Sequence, residues 1–214
     1  VEVVRYTGKP LRVLALAGSG KTESLGRMIA RLVRDGAHPS RILAVTFSRK
    51  GADEMSTRIS KKFRVEGARI GTWHSLCLQI LREDGCEQAS WTVEGDGPGT
   101  NPKVVLKDVL GWKGMDWKGS DLSLVQGFIG RCKANLYDPD SPDAMALAQS
   151  IFRWQAGKAT RAFQLYNEAL AEKGLLTFDD YLVFTAKHLE SSDEVRRSWA
   201  EKYDYGMQDE GQDA

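Results

Sequence analysis

Two short stretches near opposite ends of the chain hold the residue types that phosphate chemistry requires. Residues 15–22 read ALAGSGKT, in which closely spaced glycines precede a lysine and a threonine. Glycine lets backbone N–H groups converge on a polyphosphate, lysine reaches the β and γ phosphates, and a threonine hydroxyl can ligate magnesium. Residues 209–214 read DEGQDA and bring two adjacent carboxylates. Together the two stretches predict a site for a magnesium–triphosphate complex.

The glycine-rich stretch predicts a phosphate-binding turn followed by a helix. That helix would present its positive N-terminal end to the same anion that Lys21 and Thr22 bind. The strict form of the motif has glycine where Ala15 stands, so the match is imperfect. The alternative is a glycine-rich turn that binds nothing. The residues predicted to bind the nucleotide are Ala17, Gly18, Ser19, Gly20, Lys21, Thr22 and Glu23.

The acidic stretch supplies the remaining groups that hydrolysis of a nucleotide needs. We predict that Asp209 holds magnesium together with Thr22, and that Glu210 activates the attacking water. Gln212 is placed to sense the γ phosphate. The alternative is an ordinary solvated acidic terminus. The predicted catalytic residues are therefore Lys21, Asp209, Glu210 and Gln212.

Hydrophobic periodicity predicts the elements that position these residues. Apolar runs of strand length occupy 12–17, 41–47 and 68–72, and each is followed by a segment with helical spacing of its apolar residues. A poorer strand, YDYGMQ at 203–208, comes just before the acids. Strands that alternate with helices in this way predict an α/β fold with a parallel sheet flanked by helices.

The middle of the chain has a different character. Turn-forming residues after about Gly85 introduce segments with helical spacing and no further buried-strand runs. We therefore predict a mostly helical insert at 86–175 within a discontinuous domain of 1–85 and 176–214. Helix start signals occur at Ser141-Pro142-Asp143 and at Thr177 with Asp180. The predicted helices are 102–110, 121–134, 143–154, 158–173, 178–190 and 193–202.

Composition excludes several classes of protein. Thirty basic and 29 acidic residues leave a net charge of +1, so any basic surface is local. Three widely spaced cysteines without a CxxC pair argue against a disulfide framework and a zinc site. The run VLALA near the N-terminus is too short to span a bilayer. We expect an intracellular protein, cytoplasmic or nucleoid-associated, with no membrane partner.

Five segments of the chain resemble motifs of the UvrD/Rep-like superfamily 1 DNA helicases. They occur in the family's order and are AGSGKT, ILAVTFSRKGADEMSTRI, GTWHSLCLQILR, TFDDYL and DEGQD. The resemblance implies a P-loop NTPase (RecA-like) motor domain that uses ATP and Mg²⁺ and moves 3′ to 5′ on single-stranded DNA. It further implies that the insert helps engage a junction of single- and double-stranded DNA. The family's second motor domain is missing here, so we expect the chain to be part of a longer helicase.

The resemblance also implies a set of DNA contacts. Phe47 would offer a face for base stacking, with basic residues near the phosphates. The residues so identified are Phe47, Arg49, Lys50, Thr72, Trp73, His74, Phe178 and Asp179. The alternatives are that Phe47 is a buried aromatic, that Thr72 caps a helix and Trp73 is core, and that TFDDYL is only a capped helix start.

Other basic and aromatic residues leave alternatives open. The basic run Arg58, Lys61, Lys62, Arg64 and Arg69 is either a DNA surface or a solvated helix face. Tryptophans in the insert either face nucleic acid or fill a small core.

Departures from the family pattern are Met207 and Gln208, where apolar residues are usual, and Gly211. Gly211 and the missing second motor domain support a second hypothesis, a non-catalytic DNA-binding or regulatory module that retains the helicase fold. A small-molecule P-loop kinase would have no use for the acidic tail or for GTWHS.

Overall fold

A computed structural model describes residues 10–14, 16, 18–93, 102–112 and 121–210. The contacts between residues divide the chain into two compact units. The first unit comprises Val1–Leu76 with Leu189–Ala214, and the second comprises Cys77–His188. The helices are α1 Lys21–Arg34, α2 Arg49–Phe63, α3 Trp73–Glu83, α4 Pro102–Trp112, α5 Leu122–Ala134, α6 Pro142–Phe152, α7 Ala156–Glu172, α8 Phe178–Ser191 and α9 Asp193–Ala200. The strands are β1 Ile42–Thr46, β2 Arg69–Thr72, β3 Thr92–Val93, β4 Leu175–Leu176 and β5 Tyr205–Gln208.

The first unit is built on a parallel sheet with the strand order β2-β1-β5. The central strand β1 is rich in branched apolar residues and is buried, as expected of a strand covered on both faces. Helices α1 and α2 bury one apolar stripe each beside it. The buried residues of this core are Ile29, Leu32, Ile42, Ala44, Met55, Ile59 and Val65. The parallel strands at 41–47, 68–72 and 203–208 are thereby confirmed.

The strand predicted at 12–17 is not present in the described part of that segment. Residues 12–14 and 16 have no strand pairing, and Leu14 and Leu16 are more than four-fifths exposed. Ala15 and Ala17 lie outside the described residues. An apolar run becomes a strand only where a neighbour completes its hydrogen bonds, and the described strand β5 pairs with β1 alone. The described sheet therefore has three strands rather than the predicted four.

An arginine aligns the starts of β1 and β5. The guanidinium of Arg41, which immediately precedes β1, donates from Nε and Nη2 to the carboxylate of Asp204, which immediately precedes β5. Nη2 also donates to the carbonyl of Glu201 at 2.9 Å, and the Asp204 N–H donates to the Arg41 carbonyl at 2.9 Å. The hydrogen bonds from Arg41 lower the pKa of Asp204, and the same contact raises the pKa of Arg41.

Replacing Arg41 with Met is expected to lower the melting temperature at neutral pH. Because the folded pKa of Asp204 is depressed, its paired carboxylate contributes stability above its unfolded pKa of about 3.9. That contribution is lost as the pH falls through the folded value. Thermal unfolding of wild type and Arg41→Met should therefore differ at pH 7, and the difference should narrow below about pH 4. Arg34→Met is the control, since Arg34 lies 3.7 Å from Asp35 on an exposed surface. A difference that does not change with pH would contradict this role.

The second unit is mostly helical. Its core packs helices α4 to α7 around Phe128, whose ring meets those of Phe152 and Phe163 edge-on, with centroids 5.6 and 6.3 Å away. Ser141 accepts a hydrogen bond from the Ala144 N–H at 3.1 Å and so caps α6, as the sequence predicts. The two-residue strands β3 and β4 pair in parallel and were not predicted. Each is too short to show a periodic pattern.

The tryptophans of the second unit have different surroundings. Trp91 packs edge-on against Phe184 with ring centroids 6.0 Å apart, which is core packing. Trp154 is 87% exposed. Lys107 is exposed. The side chains of Lys103, Trp112, Lys113, Trp117 and Lys118 lie outside the described residues.

A buried ion pair joins α5 to α8 within the second unit. Lys133 Nζ lies 2.8 Å from the carboxylate of Asp180, and both side chains are less than one-tenth exposed. Lys133 also donates to Thr177 Oγ1 at 3.1 Å and lies 5.4 Å from the ring centroid of Tyr166. The same carboxylate accepts the Thr177 N–H at 2.7 Å, so the predicted pairing of Thr177 with Asp180 at the start of α8 is confirmed.

Candidate functional site

The glycine-rich turn leads directly into α1. Gly18 and Gly20 have φ angles of +75° and +85°, which a side chain would disfavour. The Ser19 N–H donates to the Leu16 carbonyl at 3.2 Å, and Lys21 Nζ donates to the same carbonyl at 3.1 Å. Lys21 and Thr22 are the first two residues of α1, where backbone N–H groups lack partners within the helix. The turn therefore offers a helix N-terminus and a lysine to an anion.

Asp209 meets this turn from the end of β5. Its N–H donates to the Val45 carbonyl at 2.9 Å, which extends the β1–β5 ladder by one residue. Asp209 is 8% exposed, and the Thr22 hydroxyl donates to its Oδ2 at 2.6 Å. The Glu210 N–H donates to Oδ1 at 3.1 Å. Both carboxylate oxygens therefore have fixed positions, and a residue 187 positions away in sequence holds one of them.

The Thr22–Asp209 pair fits the ligand preference of magnesium. Magnesium takes oxygen ligands, and in nucleotide sites it is held by one or two protein oxygens with water and phosphate completing the octahedron. A hydroxyl and a carboxylate in hydrogen-bond contact supply two such oxygens side by side.

The other predicted catalytic residues are placed as follows. Glu210 is exposed and has a φ angle of +54°, a left-handed conformation that is uncommon outside glycine. Gln212 lies outside the described residues, as do Ala17 and Gly211.

Glu23 has a different environment from the rest of the turn. Its Oε1 accepts from Lys62 Nζ at 2.7 Å and from Arg27 Nε at 3.1 Å. The hydrogen bond from Lys62 is the main cause that lowers the pKa of Glu23, and Arg27 adds to it. Sequence reasoning missed this contact because Lys62 is 39 residues away and its helix face was not predictable from spacing. The only sign of this contact in the sequence was Glu23 itself, an acidic residue in the first turn of α1.

The residues predicted to contact DNA in the first unit begin at the end of β1. Phe47 is 61% exposed, so the alternative of a buried aromatic is wrong. Ser48 caps α2 by accepting the Gly51 N–H at 3.0 Å, and Arg49 and Lys50 are exposed in the first turn that follows. An exposed aromatic ring next to two cations has the composition of a surface that binds single strands.

Thr72 is buried and caps α3. Its hydroxyl accepts the Ser75 N–H at 3.2 Å, while Ser75 Oγ accepts the Thr72 N–H at 2.9 Å and donates to the Thr72 carbonyl at 2.8 Å. Thr72 therefore acts as a helix cap, which is the alternative role that the sequence suggested for it. Trp73 is 37% exposed and is not a core residue, and His74 is partly buried. In the second unit Phe178 and Asp179 begin α8 and are both exposed.

Gly71→Ala is expected to destabilise the protein by about 1–2 kcal/mol. A Cβ at this position would lie 2.5 Å from Ser75 Oγ, and moving that hydroxyl breaks its hydrogen bonds to Thr72. Denaturant unfolding measures the loss. Adding Ser75→Ala removes the clash, so the double variant should be no less stable than Ser75→Ala alone. Gly130→Ala, in a helix with open space around it, should be neutral or stabilising.

The chain belongs to the UvrD/Rep helicase family. The family model described as the UvrD/REP helicase N-terminal domain matches residues 1–214. The chain is 33% identical over 219 aligned residues to the ATP-dependent DNA helicase PcrA of Staphylococcus epidermidis, and 32% identical to PcrA of Staphylococcus aureus. Each alignment covers 99% of this chain and 29% of the relative, so the chain spans less than a third of these curated relatives. Every helix among the described residues is too short or too polar to cross a bilayer.

Proposed function

We propose that the chain is the N-terminal ATP-binding part of an ATP-dependent 3′-to-5′ DNA helicase or translocase. The observation that carries the proposal is the 2.6 Å hydrogen bond from Thr22 to Asp209. It joins a lysine–threonine helix start to an acid at the end of a parallel strand. A nucleotide-hydrolysing site needs these groups together. Membership in the UvrD/Rep family supports the same reading.

Each residue of the turn then has a defined role. Backbone N–H groups at Gly18 to Thr22 bind the phosphates, and Lys21 leaves the Leu16 carbonyl to reach the β and γ phosphates. Thr22 and Asp209 would hold magnesium, and the ion would neutralise charge on the phosphates. Glu210 orients and deprotonates the attacking water, and we place Gln212 near the γ phosphate. We also propose that Ala17 and Ser19 bind the nucleotide, and that Glu23 lies next to the phosphates without contacting them.

Single-stranded DNA would lie across the first unit at the end of β1. Phe47 stacks on a base, while Arg49 and Lys50 contact phosphates. Trp73 offers a second aromatic face, and His74 with Thr72 lies beside the backbone. In the second unit, Phe178 and Asp179 are proposed contacts with DNA. We keep 1–85 with 176–214 as the motor domain and 86–175 as its insert.

The expected activity of the isolated chain depends on how much of a helicase it contains, and it covers 29% of the length of its PcrA relatives. Helicases of this family close a second motor domain over ATP, and its arginines contribute to catalysis. An arginine supplied by a partner can be worth about 10³- to 10⁵-fold in rate. We expect the 214-residue chain to bind Mg–ATP weakly, to hydrolyse it very slowly and not to unwind DNA.

The experiment that tests the proposal uses the full-length helicase of which the chain is proposed to be part. It measures ATP hydrolysis with and without single-stranded DNA. Stimulation by single strands, and its loss in Glu210→Gln, is the expected result. Unchanged hydrolysis in Glu210→Gln would favour the non-catalytic DNA-binding or regulatory module. Absence of stimulation in the wild type would contradict the helicase function. Unwinding of a 3′-tailed but not a 5′-tailed duplex would test the polarity.

A further inference from the structure

We propose that Lys62 is a positioning residue for the nucleotide site, which acts by neutralising Glu23 beside the phosphate-binding end of α1. The inference rests on the proposed function and adds a residue outside the glycine-rich turn and the acidic stretch. Glu23 is the third residue of α1 and directly follows Thr22. Its Oε1 accepts from Lys62 Nζ at 2.7 Å and from Arg27 Nε at 3.1 Å.

A carboxylate at this position competes with the nucleotide. The N-terminus of α1 carries partial positive charge that stabilises an acid in the first turn and a phosphate group equally well. An uncompensated Glu23 would therefore repel the triphosphate by Coulomb repulsion between like charges. Lys62 cancels this charge from a second helix, so that the turn remains attractive to an anion.

The position of Lys62 is fixed by close packing of α1 against α2. A Cβ on Gly26 would lie 2.6 Å from the ring of Phe63, so the two helices approach each other as closely as a glycine permits. Phe63 follows Lys62 directly, and Lys62 Nζ lies 5.7 Å from the centroid of that ring. The Glu23 side chain is 24% exposed, against 56% for Lys62. The carboxylate is thus held at the interface between these helices, and the ammonium approaches it from solvent.

The test is a double-mutant cycle on the binding of Mg–ATP by the 214-residue chain. Isothermal titration calorimetry at low salt measures the affinity of each variant. Lys62→Met should weaken binding on the order of fivefold or more. Glu23→Gln should bind more tightly than wild type, because the carboxylate that repels the triphosphate is gone and the Lys62 ammonium is left to attract it. Adding Glu23→Gln to Lys62→Met should restore the affinity, which a merely structural role of Lys62 would not produce. The effect of Lys62→Met should shrink as salt is raised.

Lys61→Met is the matched control, because Lys61 is the exposed neighbour on the same helix. Thermal unfolding of each variant reports folding, and Lys62→Gln replaces Lys62→Met if the latter is unfolded. Equal affinities of the Lys61 and Lys62 variants overturn the inference. A double variant as weak as Lys62→Met overturns it also, because Lys62 would then act without Glu23. A wild type that does not bind Mg–ATP overturns the proposed function as well, whereas binding that is insensitive to Lys62 overturns this inference alone.

Discussion

Asp209→Asn is expected to weaken binding of Mg–ATP by the chain about 10- to 100-fold. Interactions with a charged group are worth about 1.5–3 kcal/mol, which corresponds to that range of affinity. The asparagine oxygen still accepts the hydrogen bond from Thr22, so the turn keeps its shape while the anionic metal ligand is removed. Binding of ATP in the presence of EDTA should change little. Fluorescence titration with a labelled nucleotide measures both affinities.

Asp35→Asn is the control for the loss of one acid. Asp35 caps the C-terminal end of α1, so it lies at the opposite end of the helix from Thr22, about 20 Å away for a rise of 1.5 Å per residue. Its replacement should leave both affinities unchanged. Equal loss of affinity in Mg²⁺ and in EDTA for Asp209→Asn would show that the carboxylate acts on the fold of the turn rather than on the metal.

Lys133→Met is expected to destabilise the second unit by about 3–5 kcal/mol. Both partners of the Lys133–Asp180 pair are buried, so removing the lysine leaves an uncompensated carboxylate in the core. The same carboxylate caps α8 through Thr177, so the helix start is weakened as well. Hydrogen exchange resolved by peptide should show lost protection within Cys77–His188.

Two further variants separate charge from packing. Lys133→Met with Asp180→Asn removes both charges and keeps an oxygen that can accept the Thr177 N–H, so it should recover most of the stability. Lys187→Met removes a lysine that pairs with Asp138 on the surface of the same unit, with both side chains about half exposed. That change should cost less than about 1 kcal/mol. A double variant as unstable as Lys133→Met would show that the loss is one of packing.

The parts of the molecule that could be predicted are those with local chemical signatures. Gly18 and Gly20 predict a turn with positive φ, and both have positive φ in the structure. β1 could be predicted because a buried parallel strand is continuously apolar. The Ser141 cap and the Thr177–Asp180 pairing follow from residue types three positions apart, where helix geometry brings them together.

The parts that could not be predicted depend on partners distant in sequence. The run RVLALA at 12–17 has the composition of a strand, but composition does not supply a neighbour to pair with. Strands β3 and β4 have two residues each and exist only because they meet across 82 intervening positions, Thr92 with Leu175. The contacts of Arg41 with Asp204 and of Lys62 with Glu23 are likewise set by tertiary packing, since each of these ionic residues had other oppositely charged residues near it in sequence.

The measurement that tests the account most directly is a double-mutant cycle between Thr22 and Asp209. Thr22→Val, Asp209→Asn and the double variant are compared for the strengthening of ATP binding by Mg²⁺. If both residues hold one metal, the effects of the two substitutions should not be additive. The double variant should then lose little more of the Mg²⁺-dependent affinity for ATP than the weaker-binding single variant does. Fold-losses that multiply would mean that the two residues act independently, and would contradict a shared magnesium–triphosphate site.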